Sequence, residues 1–215
     1  MQEPFARHLR AHMRRTDHLK LAALLHERPS MTLRMTSAIL LGSVGIVTAA
    51  LVETIIRADF SGSLVIGAFL LSLIALKFFR KNIADEAVIF FSAAAIFNTI
   101  GYRWNLYRAP GPFDEVAHAY TSFAVTLIAG QLLYGDFSKS FKNNFFLSLF
   151  TVANTGVVIG VSWEFFEWAV AILGDLNDTL SDLLLDWIGA AIAAFVVTSR
   201  GRNSSIGDHA KDKNG

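Results

Sequence analysis

The chain has 215 residues, of which 53% are hydrophobic and only 17% are charged. A soluble domain carries about 25% charged residues, so this composition argues against a soluble protein. The sequence has no Cys, which excludes disulfides and thiolate metal sites.

Six apolar segments are long enough, or nearly so, to cross a bilayer, whose core needs roughly 20 apolar residues in helical form. In chain order they are residues 35–56, 60–79, 84–102, 114–134, 145–173 and 179–198. We predict an all-α polytopic transmembrane bundle of about six spans over residues 35–199. A basic cytoplasmic segment at 1–34 precedes it, and a polar cytoplasmic tail at 200–215, expected to be disordered, follows it.

The Lys and Arg residues alternate between the two sides of these segments. Sixteen of the 19 lie before the first segment, after the second, after the fourth and after the sixth, and the other three are Arg57, Arg103 and Arg108. Short cytoplasmic loops retain basic residues. The pattern therefore predicts an even number of spans with both termini cytoplasmic. It gives no indication of a nucleic-acid partner.

Ionisable residues recur at one depth in the last three segments. At 1.5 Å per residue, five of them lie roughly 5–13 Å below the outer surface: His118, Glu164, Glu167, Asp182 and Asp186. Helical spacing places Asp114 with His118, Glu164 with Glu167, and Asp178 with Asp182 and Asp186, each set on one face. An ionisable group at the centre of a span costs about 2.5–3.5 kcal/mol. We therefore expect these groups to face one another, beside Trp163 and Trp187.

Carboxylates with one imidazole suit a hard or borderline divalent cation. The candidate ligands are Asp114, His118, Glu164, Glu167, Asp182 and Asp186. His118 and Glu164 are also candidates for acid/base catalysis, and Arg103 or Arg108 for binding a substrate phosphate. A bound ion has two alternatives: some of the carboxylates could be protonated, or Arg103, Arg108 and His118 could pair with them.

Simpler interpretations remain open for several of these residues. Asp114 and Asp178 could be helix N-caps, and His118 could hydrogen-bond Asp114 near the membrane interface. Glu164 could hydrogen-bond Asn98, Asn154 or Thr155. The step from Gly156 to Gly160 predicts close helix packing, either within the chain or in a homodimer.

The motifs Asp114-Glu-Val-Ala-His118, Trp163-Glu-Phe-Phe-Glu-Trp168, Asp178-Thr-Leu-Ser-Asp182 and Asp186-Trp-Ile-Gly189-Ala190 resemble those of YjdF-type bacterial inner-membrane proteins. They are more distantly similar to the VanZ-like group, which has Asn in the last motif where this chain has none. The resemblance covers residues 80–198 and implies that the acids and His118 form a shared polar set. The VanZ-like group is associated with glycopeptide resistance, which implies an envelope role.

Three functions compete on this evidence. The first is a cation-dependent membrane enzyme acting on a lipid or lipid-linked envelope substrate. The second is a proton- or cation-coupled transporter, which needs a polar path that the inner half of the spans does not supply. The third is a non-catalytic envelope or assembly factor whose polar set is structural.

Overall fold

The computed structural model describes residues 31–170, 172 and 174–212, and every regular element in that part of the chain is helical. Most of the basic segment predicted at residues 1–34 lies outside it. Six long helices are joined by short connections, and the compact bundle begins at Ala38. The helices are α1 (Met31–Ile56), α2 (Phe60–Phe79), α3 (Asp85–Arg103), α4 (Phe113–Asp136), the short α5 (Lys139–Asn143), α6 (Phe145–Ala169) and α7 (Leu176–Asp212).

The distribution of apolar side chains over these helices is that of a membrane protein. Large side chains such as Leu71, Phe150 and Phe165 are about two-thirds exposed, whereas His118, Glu164, Asp182 and Asp186 are buried. Lipid tails solvate an apolar surface, so the costly polar groups of a membrane bundle face its interior. The helical membrane fold expected from the sequence is thus confirmed.

Five of the described helices are long and apolar enough to cross a membrane: α1, α2, α4, α6 and the part of α7 up to Gly201. The remaining long helix, α3, has 19 residues but carries Asp85, Glu86, Asn98 and Arg103. Six spans and two cytoplasmic termini therefore remain predictions.

Ion pairs nevertheless fix both ends of α3 within the bundle. At its start, Glu86 pairs with Arg200 in α7. At its end, Arg103 pairs with Glu53 in α1, with 2.6 Å between Nε and Oε2. Helix α3 therefore extends between the two ends of the bundle, in line with its neighbours.

The close packing of α4, α6 and α7 positions the site. A Cβ at Gly189 of α7 would press into the backbone of α4 at Ala119 and Phe123, so only glycine permits this approach. The hydroxyl of Ser122 donates to the carbonyl oxygen of Asp186 at 2.7 Å across the same contact. Three inward-facing helix surfaces are thereby held together.

Gly156 and Gly160 are both buried on α6. A Cβ at Gly156 would meet Thr126 of α4 and Ala190 of α7, and one at Gly160 would meet Asp186. Close packing within the chain, one of the two alternatives from the sequence, is therefore what these glycines provide. A homodimer would have to use a different surface.

Several boundaries differ from the sequence prediction. Helix α7 begins at Leu176 because Asp175 caps it, accepting from the backbone N–H of Asn177 and Asp178. It then continues to Asp212, beyond the end of the sixth predicted segment, and disorder of the tail stays a prediction. No proline interrupts this stretch, and the backbone hydrogen-bond ladder can therefore extend beyond the apolar part. Helix α6 ends at Ala169, before the predicted 173.

Candidate metal centre

His118 of α4 lies at the centre of a cluster of carboxylates from three helices. Its Nε2 is 3.6 Å from Asp114 Oδ1 and 3.8 Å from Asp182 Oδ2. Its Nδ1 is 3.4 Å from Asp186 Oδ1 and 3.9 Å from Glu164 Oε1. Both ring nitrogens therefore face acids, and the imidazole is only 7% exposed.

Two triads in the cluster have the spacing of metal ligands, and they share His118. One is Asp114, His118 and Asp182, and the other is His118, Glu164 and Glu167. In each triad one ligand atom per residue lies within 4.8 Å of the others. All six candidate ligands from the sequence are thus brought together, five of them in these triads and Asp186 beside them.

Glu164 is the most unusual member of the cluster. Both of its carboxyl oxygens are buried, and neither has a hydrogen-bond partner. Buried polar atoms almost always have a partner, and one without it costs about 1–3 kcal/mol, more when charged. Two such oxygens on one side chain make Glu164 the first candidate for a ligand-binding group in the described part of the chain.

The separations around His118 are longer than direct hydrogen bonds, and each ring nitrogen faces its own pair of acids, so an ion would bind on the Nδ1 side or on the Nε2 side. An N–H···O bond spans about 2.7–3.2 Å, less than the 3.4–3.9 Å observed. Ligands at about 2.1 Å from a tetrahedral ion are separated by about 3.4 Å. A small contraction of the cluster would bring its atoms to coordinating distance.

A neighbouring hydrogen bond orients one of these acids. The indole Nε1 of Trp163 donates to Glu167 Oε1 at 2.8 Å, one helical turn away on α6. Donors of this kind fix the orientation of metal-binding carboxylates. Trp187, by contrast, is exposed, so the expectation that it walls the site is wrong.

The charge of the cluster is not balanced by arginine. Five carboxylates surround one imidazole, so the cluster is negative unless most of these acids are protonated. Arg103 pairs with Glu53, as does Arg57 at 2.8 Å, and Arg108 is exposed in the connection between α3 and α4. Neither of the two arginines predicted to bind phosphate is bonded to the cluster.

The simpler interpretations of the acids fail on geometry. Helix α4 begins at Phe113 with Pro112 as its cap, and Asp114 makes no capping bond. Asp178 lies in the first turn of α7, exposed, while Asp175 supplies the cap.

For Glu164, the three proposed partners bond elsewhere: Asn98 to Ala94 and Thr121, and Asn154 and Thr155 to backbone carbonyls of α6. His118 does not hydrogen-bond Asp114, since 3.6 Å separates them.

A cavity of about 370 Å³ adjoins the cluster. His118, Asp186 and Trp163 line one end of it, together with Asn98. Tyr107, in the short turn Leu106–Arg108, donates to Asn98 Oδ1. Burial raises the pKa of the Tyr107 phenol, so this group remains a neutral donor.

Two cavity-lining residues of α4 were not singled out from the sequence. Ser122 and Thr126 continue the line of Asp114 and His118 at intervals of four, and both are buried. Thr126 Oγ1 has no hydrogen-bond partner. The i, i+4 spacing was the signal that could have identified them.

Taken together, the fold and the cluster define a class: a helical membrane protein with an acid-rich histidine site buried between three helices. The chain belongs to the family described as "Predicted membrane protein (DUF2238)", which it matches over residues 35–203. This confirms the resemblance to the YjdF-type group, while the VanZ-like similarity remains a prediction. No curated protein and no solved structure matches the chain.

Proposed function

We propose that the chain is a cation-dependent enzyme of the bacterial inner membrane that acts on a lipid or lipid-linked envelope substrate. The observation that carries the proposal is Glu164, a buried carboxylate with two unpartnered oxygens beside His118. A divalent cation would satisfy these oxygens and offset the negative charge of the cluster. Mn²⁺, Zn²⁺, Mg²⁺ and Ca²⁺ all accept such ligands.

The residues divide into three roles under this proposal. Glu164, Glu167 and His118 hold the cation, with Asp182 and Asp186 beside them. Proton transfer falls to whichever of His118 and Glu164 keeps a nitrogen or an oxygen free of the cation, because an atom bound to the ion cannot also carry a proton. Arg108, which is exposed on the connection next to the cluster, is better placed than the paired Arg103 to meet a substrate phosphate.

The orientation that we propose puts the cluster near the outer face, with both termini in the cytoplasm. The distribution of Lys and Arg supports it. The connection holding Arg103 and Arg108 would then be external, and the one holding Lys139 and Lys142 internal.

The transporter alternative receives less support from the cavity. Away from the cluster, the cavity is lined mostly by apolar side chains such as Leu76, Ile83 and Leu132, with hydroxyl groups from Ser72 and Thr126 but no ionisable group. A coupled transporter needs polar groups along its whole path. A structural role for the cluster predicts instead that neutralising its acids destabilises the bundle.

Cation binding is tested by equilibrium dialysis of the purified full chain against Mn²⁺ and Zn²⁺. We expect saturable binding that weakens at least about tenfold in Glu164→Gln and in Asp186→Asn. Glu115→Gln is the matched control, because Glu115 is an exposed carboxylate on α4 near His118. Equal binding by all four proteins, or none by the wild type, would refute the cation site.

Enzymatic activity is tested by incubating the protein with vesicles that contain phosphate-bearing lipids, with Mn²⁺ or with a chelator. We expect a modified head group, detected by mass spectrometry, only with the cation and only while His118 and Glu164 are present. Flux of a cation into proteoliposomes without lipid turnover would favour the transporter instead.

A further inference from the structure

The cavity beside the cluster is elongated along the helices. It extends from His118 on α4 to Leu132 on the same helix, a rise of roughly 21 Å. One leaflet of a bilayer core is about 15 Å thick, half of the whole core. The cavity is therefore long enough for an extended hydrocarbon chain.

The polarity of the cavity changes along its length. The end at His118 and Asp186 is ionisable, and beyond it the lining is mostly apolar, with Thr126 and Ser72 as the polar exceptions. The apolar wall comes from α2, α3 and α4 and includes Leu76, Phe91, Ile128 and Leu132. This is the polarity profile of an amphiphile, with a charged head followed by a hydrocarbon tail.

The mouth of the cavity lies on the side of the bundle, between α2 and α6. Three of its lining residues are exposed there: Ser72 and Phe79 on α2, and Ile159 on α6. Ser72 and Ile159 are near the middle of helices that are apolar enough to span a membrane. The mouth therefore opens towards lipid tails and not towards water.

Contacts close the gap between α2 and α6 nearer the cluster. The rings of Phe69 and Trp163 are 5.5 Å apart, and the Ser61 hydroxyl donates to the carbonyl oxygen of Val170 at 2.9 Å. A lipid chain could slide in below these contacts while its head group stays at the level of the cluster.

We propose that this cavity binds one hydrocarbon chain of a membrane lipid, which enters sideways from the bilayer and places its head group at His118 and Asp186. That the bound lipid is the substrate rests on the proposed function. Chain binding itself does not, because it depends on the apolar wall and on the lateral mouth.

Trp163 provides a reporter for the chain, because it lines the cavity. A variant that keeps Trp163 alone is made by changing Trp104, Trp168 and Trp187, all exposed, to Phe. It is placed in vesicles of phosphatidylglycerol whose acyl chains are brominated, since bromine quenches a nearby indole. A variant that keeps the exposed Trp168 alone reports contact with bulk lipid.

The substitution Ser72→Phe then narrows the mouth of the cavity. The matched control is Leu71→Phe, because Leu71 is exposed on α2 but does not line the cavity. We expect Ser72→Phe to remove most of the quenching of Trp163 without changing that of Trp168, and Leu71→Phe to change neither. Equal quenching of Trp163 in the two variants would overturn the proposal.

The same measurement with a chelator separates this proposal from the proposed function. Quenching that persists without a cation, in a protein that binds no Mn²⁺ by dialysis, would support the lipid site and refute the cation-dependent enzyme. The opposite result is that the protein binds Mn²⁺ but Ser72→Phe leaves the quenching of Trp163 unchanged. That result would support the cation site and refute the lipid site.

Discussion

The carboxylate of Glu164 shows how one residue can reveal a binding site. Its carboxyl group is buried, and neither of its oxygens makes a hydrogen bond to another group of the protein. The nearest cationic side chain is His118, whose Nδ1 is 3.9 Å from Oε1. Many polar side chains of the bundle bond backbone carbonyls, as Asn154 and Thr155 do, whereas Glu164 is the one described carboxylate whose two buried oxygens both lack a partner. The bound cation that we propose would supply that partner.

Neutralising this residue separates the functional interpretation from the structural one. In the absence of cations, Glu164→Gln should melt at the same temperature as the wild type or higher, because it removes an uncompensated buried charge. Its cation affinity should nevertheless fall. Thermal unfolding of the chelated proteins in detergent, with Glu115→Gln as control, measures this. A structural role for the carboxylate predicts the opposite, a clear drop in melting temperature.

Gly160 supplies a second prediction at this scale. A Cβ there would lie 2.5 Å from Asp186 Oδ2, so Gly160→Ala must displace that carboxylate. In a helix interior the change from Gly to Ala is by itself favourable by about 0.5–1 kcal/mol. We expect weaker Mn²⁺ binding with little loss of stability, measured by dialysis and thermal unfolding. Unchanged binding would show that Asp186 is not needed at its present position.

The helix faces could be predicted from the sequence, whereas the partners across them could not. Spacing placed Asp114 with His118, and Asp182 with Asp186, because an α-helix brings residues four apart onto one face. It could not show that Arg103 pairs with Glu53, 50 positions earlier, since a long side chain at a helix end can reach several neighbours. The lateral mouth was also unpredictable, because it depends on how α2 and α6 diverge.

The contact between α4 and α7 is the element on which the cluster depends. Gly189 allows the two backbones to approach, and a Cβ there would collide with main-chain atoms that cannot move aside. Gly189→Ala should therefore destabilise the bundle by about 1–3 kcal/mol. It should also weaken cation binding, since His118 lies on one helix and Asp182 and Asp186 on the other.

Gly45 of α1 provides the control for this change, because nothing lies within 4 Å of a Cβ built there. Gly45→Ala should leave both the melting temperature and the cation affinity at or above the wild-type values. Equal melting temperatures for the two alanine variants would contradict the packing role of Gly189.

At the largest scale, the described bundle from Ala38 onwards has a mostly apolar lateral surface, and its charged side chains lie inside it or near the ends of its helices. Composition alone predicted this arrangement, because 17% charged residues are too few to cover a soluble surface of this size. Composition does not determine the number of crossings, because α3 carries polar residues and yet extends between the two ends of the bundle.

The absence of Cys makes the topology directly measurable. A single Cys placed at Ala109, between α3 and α4, should react with a membrane-impermeant maleimide added to intact cells. A single Cys at Ser138, between α4 and α6, should react only after the membrane is opened. The reversed pattern would place the cluster near the cytoplasmic face, and labelling of both in intact cells would exclude a crossing by α4.

The coordination of bound Mn²⁺ tests the central claim most directly. Pulsed electron paramagnetic resonance of the purified protein with Mn²⁺ detects nitrogen nuclei attached to the ion. We predict the modulation of one imidazole in the wild type and in Glu115→Gln, and its loss in His118→Gln. Bound Mn²⁺ with no nitrogen signal, or a signal that survives the loss of His118, would contradict the account.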